Sequence, residues 1–142
     1  HRDFNDLDFD GDIDVIITSP PFAASTRFYI ANWLRLWFSG WEPEDFNLKR
    51  TQFLEYKQRE SIDVYSDFFY KAQNWLKPNG KLIMHLGKTT SCNMALELQK
   101  TSEQYFDTIF TFDESVTGNE KFGIKDQGAT VSHQYLFLVK KL

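Results

Sequence analysis

The feature that most constrains this chain is a pair of adjacent prolines set directly behind an apolar strand, in Asp14-Val15-Ile16-Ile17-Thr18-Ser19-Pro20-Pro21-Phe22. Residues 15–18 read as a strand. Val15-Ile16-Ile17 is apolar without alternation, the pattern of a strand covered on both faces in a helix-flanked parallel sheet. Pro20 and Pro21 stop it, because proline offers no N–H to a ladder and fixes φ. In open α/β sheets, ligands bind just beyond the carboxyl ends of such strands. The hydroxyl of Ser19, a rigid turn and the ring of Phe22 therefore stand where a substrate is expected.

The rest of the chain supplies partners for that strand. Residues 23–41 carry Phe28, Ile30, Trp33, Leu34, Leu36, Trp37 and Phe38 at spacings of three and four, which predicts a helix ending near Gly40. Two readings stay open for it: a packing helix with solvated Arg27 and Arg35, or a lid that brings Arg27 near a phosphate. Residues 42–60 are polar and mixed, a loop or frayed helix whose Lys49, Arg50, Lys57 and Arg59 could meet a phosphate backbone. Residues 61–76 give the clearest helix, with Ser61 as N-cap and an apolar stripe of Tyr65, Phe68, Phe69, Ala72, Trp75 and Leu76. Lys77-Pro78-Asn79-Gly80 carries the stop signals.

A strand at 81–86 follows, closed by Gly87, then a helix over 91–105 and strands at 107–112 and 131–139 joined by a polar loop. This order predicts an α/β fold with parallel strands, flanking helices and a terminal antiparallel strand.

A length of 142 residues suits one domain. The 14 Phe, 6 Tyr and 4 Trp supply a core and, for the remainder, platforms for stacking a planar ligand. The net charge of -4 counts against autonomous nucleic-acid binding, which normally needs a basic face. The single Cys92 excludes an internal disulfide and a cysteine zinc cluster and fits a reducing cytoplasm. No apolar run reaches transmembrane length and no signal-peptide pattern is present, so a cytoplasmic location without a membrane partner is expected.

The acidic start resembles a calcium loop, with Asp6, Asp8, Asp10, Gly11 and Asp14 in suitable alternation. Ile17 stands where an EF-hand needs its bidentate Glu, and the loop runs into a strand instead of a helix. The short aspartate loop of propeller repeats is closer, but its unit occurs once here. A solvated acidic turn is the expectation, with a calcium-binding domain through residues 6–14 kept as an alternative.

The stretch from Asp14 to Phe22 resembles the catalytic motif of the S-adenosylmethionine-dependent DNA amino-methyltransferases: Asp, Asn or Ser, then Pro-Pro, then an aromatic residue, at the end of the fourth strand. Leu76-Lys77-Pro78-Asn79-Gly80-Lys81-Leu82-Ile83-Met84 is similar to the family's next helix–turn–strand, and Thr130-Val131-Ser132-His133-Gln134-Tyr135-Leu136-Phe137-Leu138-Val139-Lys140 to its terminal antiparallel strand. The resemblance implies a partial Rossmann-like class I methyltransferase sheet, with S-adenosyl-L-methionine as cofactor and DNA as partner. It makes Ser19, Pro20, Pro21 and Phe22 catalytic, and puts Thr18 and Ser19 at the edge of the cofactor site. Phe22, Phe122 and Arg27 become candidate base or DNA contacts, with no metal. Ser in the first motif position resembles the cytosine-N4 subgroup more than the adenine-N6 one.

The chemistry of the motif agrees with this. An exocyclic amine is a poor nucleophile because its lone pair is delocalised into the base. Ser19 Oγ and the Pro20 carbonyl can accept its two N–H bonds and hold the nitrogen nearer tetrahedral geometry. Phe22 can stack on a base turned out of the helix. Methylation at a ring carbon would need a cysteine nucleophile, typically following proline. Cys92 follows Ser91 and reads as a packing residue, while His85 and His133 read as core or sheet-edge residues.

The family's glycine-rich cofactor loop and its acidic ribose ligand have no counterpart, since Gly-x-Gly does not occur. Residues 1–142 are therefore expected to form the catalytic half of the fold. The strand at 15–18 would then be an exposed apolar edge that calls for a chain or segment carrying the missing half, or for a homodimer. A non-catalytic, methyltransferase-like assembly module is the other alternative.

Overall fold

The computed structural model describes residues 6–23, 28–116, 120–121, 124–125 and 130–142, with Phe28 and the two short pairs given by backbone alone. In chain order the elements are β1 (Ile13–Thr18), α1 (Phe28–Ala31), α2 (Trp33–Phe38), α3 (Asp45–Leu48), α4 (Leu54–Glu60), α5 (Ser66–Trp75), β2 (Leu76–Thr89), α6 (Met94–Ser102), β3 (Phe106–Ser115), β4 (Glu120–Lys121), β5 (Ile124–Lys125) and β6 (Thr130–Lys140). Two 3-10 turns, Arg50–Gln52 and Ile62–Tyr65, precede α4 and α5.

Four strands form one sheet in the order β1-β2-β6-β3. β1 runs parallel to β2, and β6 is antiparallel to both β2 and β3, so β1, β2 and β3 share one direction. The terminal antiparallel strand is as the sequence predicts. It is inserted between β2 and β3, not added at an edge.

Alternation along the strands divides the sheet into a covered and an open face. Leu82, Met84 and Leu86 of β2 and Leu136 and Leu138 of β6 are fully buried beneath Phe69 and Ala72 of α5 and Leu98 of α6. The intervening residues form rows on the other face, where Ile17 pairs with Ile83, Ile83 with Phe137, and Phe137 with Phe110. Ile17 is 75% exposed and Phe110 51% exposed. The unbroken apolar run of β1 thus does not reflect cover on both faces among the described residues. β1 is an edge strand with one bare face.

Local chemistry explains most element boundaries. Ser61 Oγ accepts from the Asp63 amide, which caps the turn into α5. Asn93 caps α6 by accepting from Leu96 N. At the end of α2, Gly40 adopts φ +87°, Gly40 N donates to Trp37 O, and Trp41 N donates to Leu36 O. Those paired bonds form a Schellman stop, as its glycine predicts.

Three expectations need correction. The single helix over 23–41 is two short helices, and α2 buries none of its residues, with Phe38 77% exposed. Among the described residues, nothing fills the packing role read from its spacing. The stop signals at 77–80 do not precede the strand cleanly: the ladder jumps from Ile13↔Leu76 to Val15↔Lys81, so these residues bulge out, with Asn79 at φ 61°. Finally, β2 passes through Gly87 to Thr89, and that glycine has another use.

Candidate functional site

β1 delivers the Ser-Pro-Pro-Phe turn at its carboxyl end, and its alternation carries into the turn. Thr18 pairs with Met84 on the covered face. Ser19 falls on the open face, where its Oγ lies 3.2 Å from Nδ1 of His85. Pro20 returns to the covered side and, with Thr18, Leu54, Tyr65, Phe68 and Met84, lines a largely apolar cavity of about 190 Å³. Thr18 and Ser19, assigned together to a cofactor edge, therefore face opposite sides of the sheet.

Phe22 is half-buried on the open face, directly over Gly87. A Cβ at Gly87 would come within 2.6 Å of the Phe22 ring, so the glycine is needed for this approach. His85 meets Phe22 edge-on at 5.2 Å between ring centroids, and His133 does so at 5.5 Å. His85 and His133 stand 4.8 Å apart, and Tyr135 stacks on His85 at 5.0 Å. The two histidines are thus part of the candidate site, contrary to their reading as core or sheet-edge residues. A parity signal marks them: His85 in β2, and His133 and Tyr135 in β6, all fall between the buried residues of their strands.

The turn is fixed from the covered side by α4. Gln58 Nε2 donates to the Pro21 carbonyl at 3.2 Å, and Gln58 Oε1 accepts from the Tyr65 hydroxyl at 2.7 Å. Glu55, also buried, accepts from the Tyr29 amide at 2.9 Å. The segment expected to be a loop or frayed helix therefore clamps the motif through buried polar groups. Of its basic residues, Lys49 pairs with Asp45 and lies over the Trp41 ring, and Arg50 lies over Tyr56. Burial of Tyr65 holds its phenol well above its ordinary pKa. At the far side of the open face, Tyr135 donates to Glu114 Oε2 at 3.1 Å, which raises the phenol's pKa.

Arg27 and Phe122 lie outside the described residues. Cys92 packs against the core from a half-buried position, with its thiol pushed up by burial and by Glu97. Asp14 is bonded to Lys77 at 3.1 Å, and among the described residues no group of three His, Cys, Asp or Glu could hold a metal ion. Among the described residues, no helix is long and apolar enough to cross a membrane.

No protein-family model matches the sequence, and no curated protein matches it. Among solved structures, a candidate DNA modification methylase from Thermus thermophilus aligns at 14% identity with a TM-score of 0.52, over 94% of this chain and 48% of that one. Its selenomethionine derivative aligns at 15% identity with a TM-score of 0.50, over 94% and 47%. A third structure of that protein, complexed with S-adenosyl-L-methionine, gives 13% identity and a TM-score of 0.48, again over 94% and 47%. The chain spans about half the length of that protein. At these identities the likeness establishes the fold, which is a methyltransferase-like α/β sheet.

Proposed function

We propose that this chain carries the base-binding and catalytic part of an S-adenosyl-L-methionine-dependent amino-methyltransferase acting on DNA, with cytosine N4 favoured over adenine N6. The observation that carries this reading is the turn itself. Ser19 and Phe22 stand together on one side of the sheet, and the peptide after Pro21 is held by Gln58. A preorganised pair of acceptors at Ser19 Oγ and the Pro20 carbonyl would hold the amine with its lone pair outward, without reorganisation at the moment of reaction. Phe22 would meet the face of a base turned out of the duplex.

The cofactor supplies a methyl group bound to a positively charged sulfur. The described residues fit one edge of its site and not the whole. The cavity beside Thr18 and Pro20, at about 190 Å³, is smaller than the ~300–1,000 Å³ typical of pockets that enclose such ligands. We propose that a further segment or a partner chain completes the pocket and lies on the bare face of β1. The row Ile17, Ile83, Phe137 and Phe110 would be its landing surface, with a second copy of this chain as the other occupant considered. We further propose a cytoplasmic location and a restriction-modification role, because the substrate would be DNA.

The test is methyl transfer to DNA with the completing part supplied, followed by identification of the methylated base. Ser19→Ala and Phe22→Ala should each lower kcat by ~10²-fold or more while the fold persists. Full activity in both variants would overturn the catalytic assignment. N6-methyladenine as the sole product would overturn the base preference alone.

A further inference from the structure

His85 has no part in the mechanism proposed above, yet it is placed as if it had one. Its Nδ1 lies 3.2 Å from Ser19 Oγ. Three rings fix the imidazole: Tyr135 stacked at 21°, Phe22 edge-on at 83° and His133 at 71°. A hydroxyl carries one proton and two lone pairs, whereas a neutral imidazole carries one N–H and one acceptor nitrogen. Two arrangements of this bond have different consequences. If Nδ1 bears the hydrogen, it consumes a lone pair of Ser19. If Nδ1 is bare, it takes the hydroxyl proton and leaves both lone pairs for a substrate amine.

We propose that His85 is the positioning residue of Ser19: a bare Nδ1 accepts the hydroxyl proton, turns the oxygen lone pairs toward the amine, and receives the proton that the amine must shed. This rests on the amino-methyltransferase reading. As the amine nitrogen forms its bond to the methyl carbon and the carbon–sulfur bond breaks, the nitrogen becomes cationic and holds one proton too many. That proton passes to Ser19 Oγ as the hydroxyl proton passes to His85 Nδ1. Serine ends unchanged and the methylated amine is neutral. Because Nε2 of His85 is buried, the imidazolium hands its proton back from Nδ1 through exposed Ser19 to solvent once the product has left. The ionisable groups on this face are His133 and Tyr135 from β6 and Glu114 from β3, the register partner of His133 and the acceptor of the Tyr135 hydroxyl. On the opposite side of the sheet, Lys88 of β2 pairs with Asp113 of β3 at 3.3 Å.

The direct measurement is long-range proton–nitrogen NMR of the histidine-labelled chain at a pH where His85 is neutral. The expected result is hydrogen on Nε2, with a bare Nδ1 whose shift moves in Ser19→Ala. Hydrogen on Nδ1, or a His85 signal indifferent to Ser19→Ala, would overturn the proposal and leave the catalytic role of Ser19 standing. In the complete enzyme, His85→Phe keeps a ring for stacking but no acceptor, and should lower kcat about ten- to a hundredfold with little change in KM for DNA. His85→Asn offers an acceptor near the Nδ1 position. It cannot take up a proton, so it should recover only the part of that loss that comes from the orientation of Ser19, and it should abolish the acid limb of the pH–rate profile. Wild-type kcat in His85→Phe, or an acid limb unchanged in His85→Asn, would overturn the inference. An inactive wild type would instead count against the methyltransferase reading.

Discussion

The ring of Phe22 lies so close over Gly87 that a single methyl group on the glycine would stand 2.6 Å from it. The strand passes beneath the aromatic residue at the one point where it has no side chain. Gly87→Ala should therefore push Phe22 away from His85 and His133. We expect a stability loss of about 1–3 kcal/mol from overpacking and a fall in activity larger than that loss explains. Contacts between the Phe22 and His85 rings, followed by NMR together with urea unfolding, check this. Unchanged ring contacts would refute it.

The Gln58 amide joins the Pro21 carbonyl to the Tyr65 hydroxyl, and both partners depend on it. Gln58→Ala should cost about 1–3 kcal/mol, because two polar groups lose their buried partner. Tyr65→Phe removes one bond and leaves the other, so about 1 kcal/mol is expected. A double-mutant cycle by urea unfolding should show the two effects to be non-additive. Simple additivity would mean that the two bonds act independently.

Tyr65 sets an alkaline limit. Its phenol has a folded-state pKa above the ordinary value of 10.0 because it is buried. The folded protein keeps the proton where the unfolded chain loses it, so this stabilisation of the folded state is complete below about pH 10 and is lost as pH rises toward the folded pKa. The urea midpoint should fall on the alkaline side of pH ~10, and Tyr65→Phe should flatten that fall. An alkaline limb of the same slope in Tyr65→Phe would assign the loss to other groups.

The row of Ile17, Ile83, Phe137 and Phe110, exposed at its two ends and half-buried between them, predicts self-association of this chain on its own. Elution volume in size-exclusion chromatography should depend on concentration. Ile17→Lys should reduce that dependence without lowering the melting temperature, since Ile17 is largely exposed. In the complete enzyme the same substitution should weaken assembly. A concentration-independent monomer in the unmodified chain would sink this prediction.

Local patterns made much of the fold legible. The Ser61 cap and the stripe from Tyr65 to Leu76 specify α5 by capping and period alone, and the Pro-Pro break fixes where β1 ends. Gly40 specified its stop because a Schellman turn needs a residue at positive φ. Long-range relationships were not legible. Insertion of β6 between β2 and β3 depends on which ladders pair, which local propensity does not encode. The buried roles of Glu55 and Gln58 depend on partners 26 and 37 residues away. The aromatic spacing of α2 reports one apolar face but not what covers it. Gly87 has the local signature of a strand terminus, because an aromatic ring approaching from another segment leaves no local trace.

The position of β6 also dictates an order of events. β2 and β3 are both made before it, yet they lie two strand spacings apart, ~10 Å, and make no ladder with each other. Until residues 130–140 emerge from the ribosome, the sheet can grow no further than the β1–β2 pair, and β3 has no backbone partner in it. β6 then docks with both of its edges, drawing His133 and Tyr135 beside His85. Assembly of the open-face histidine cluster therefore waits for β6, and any truncation within this strand should abolish site and sheet together.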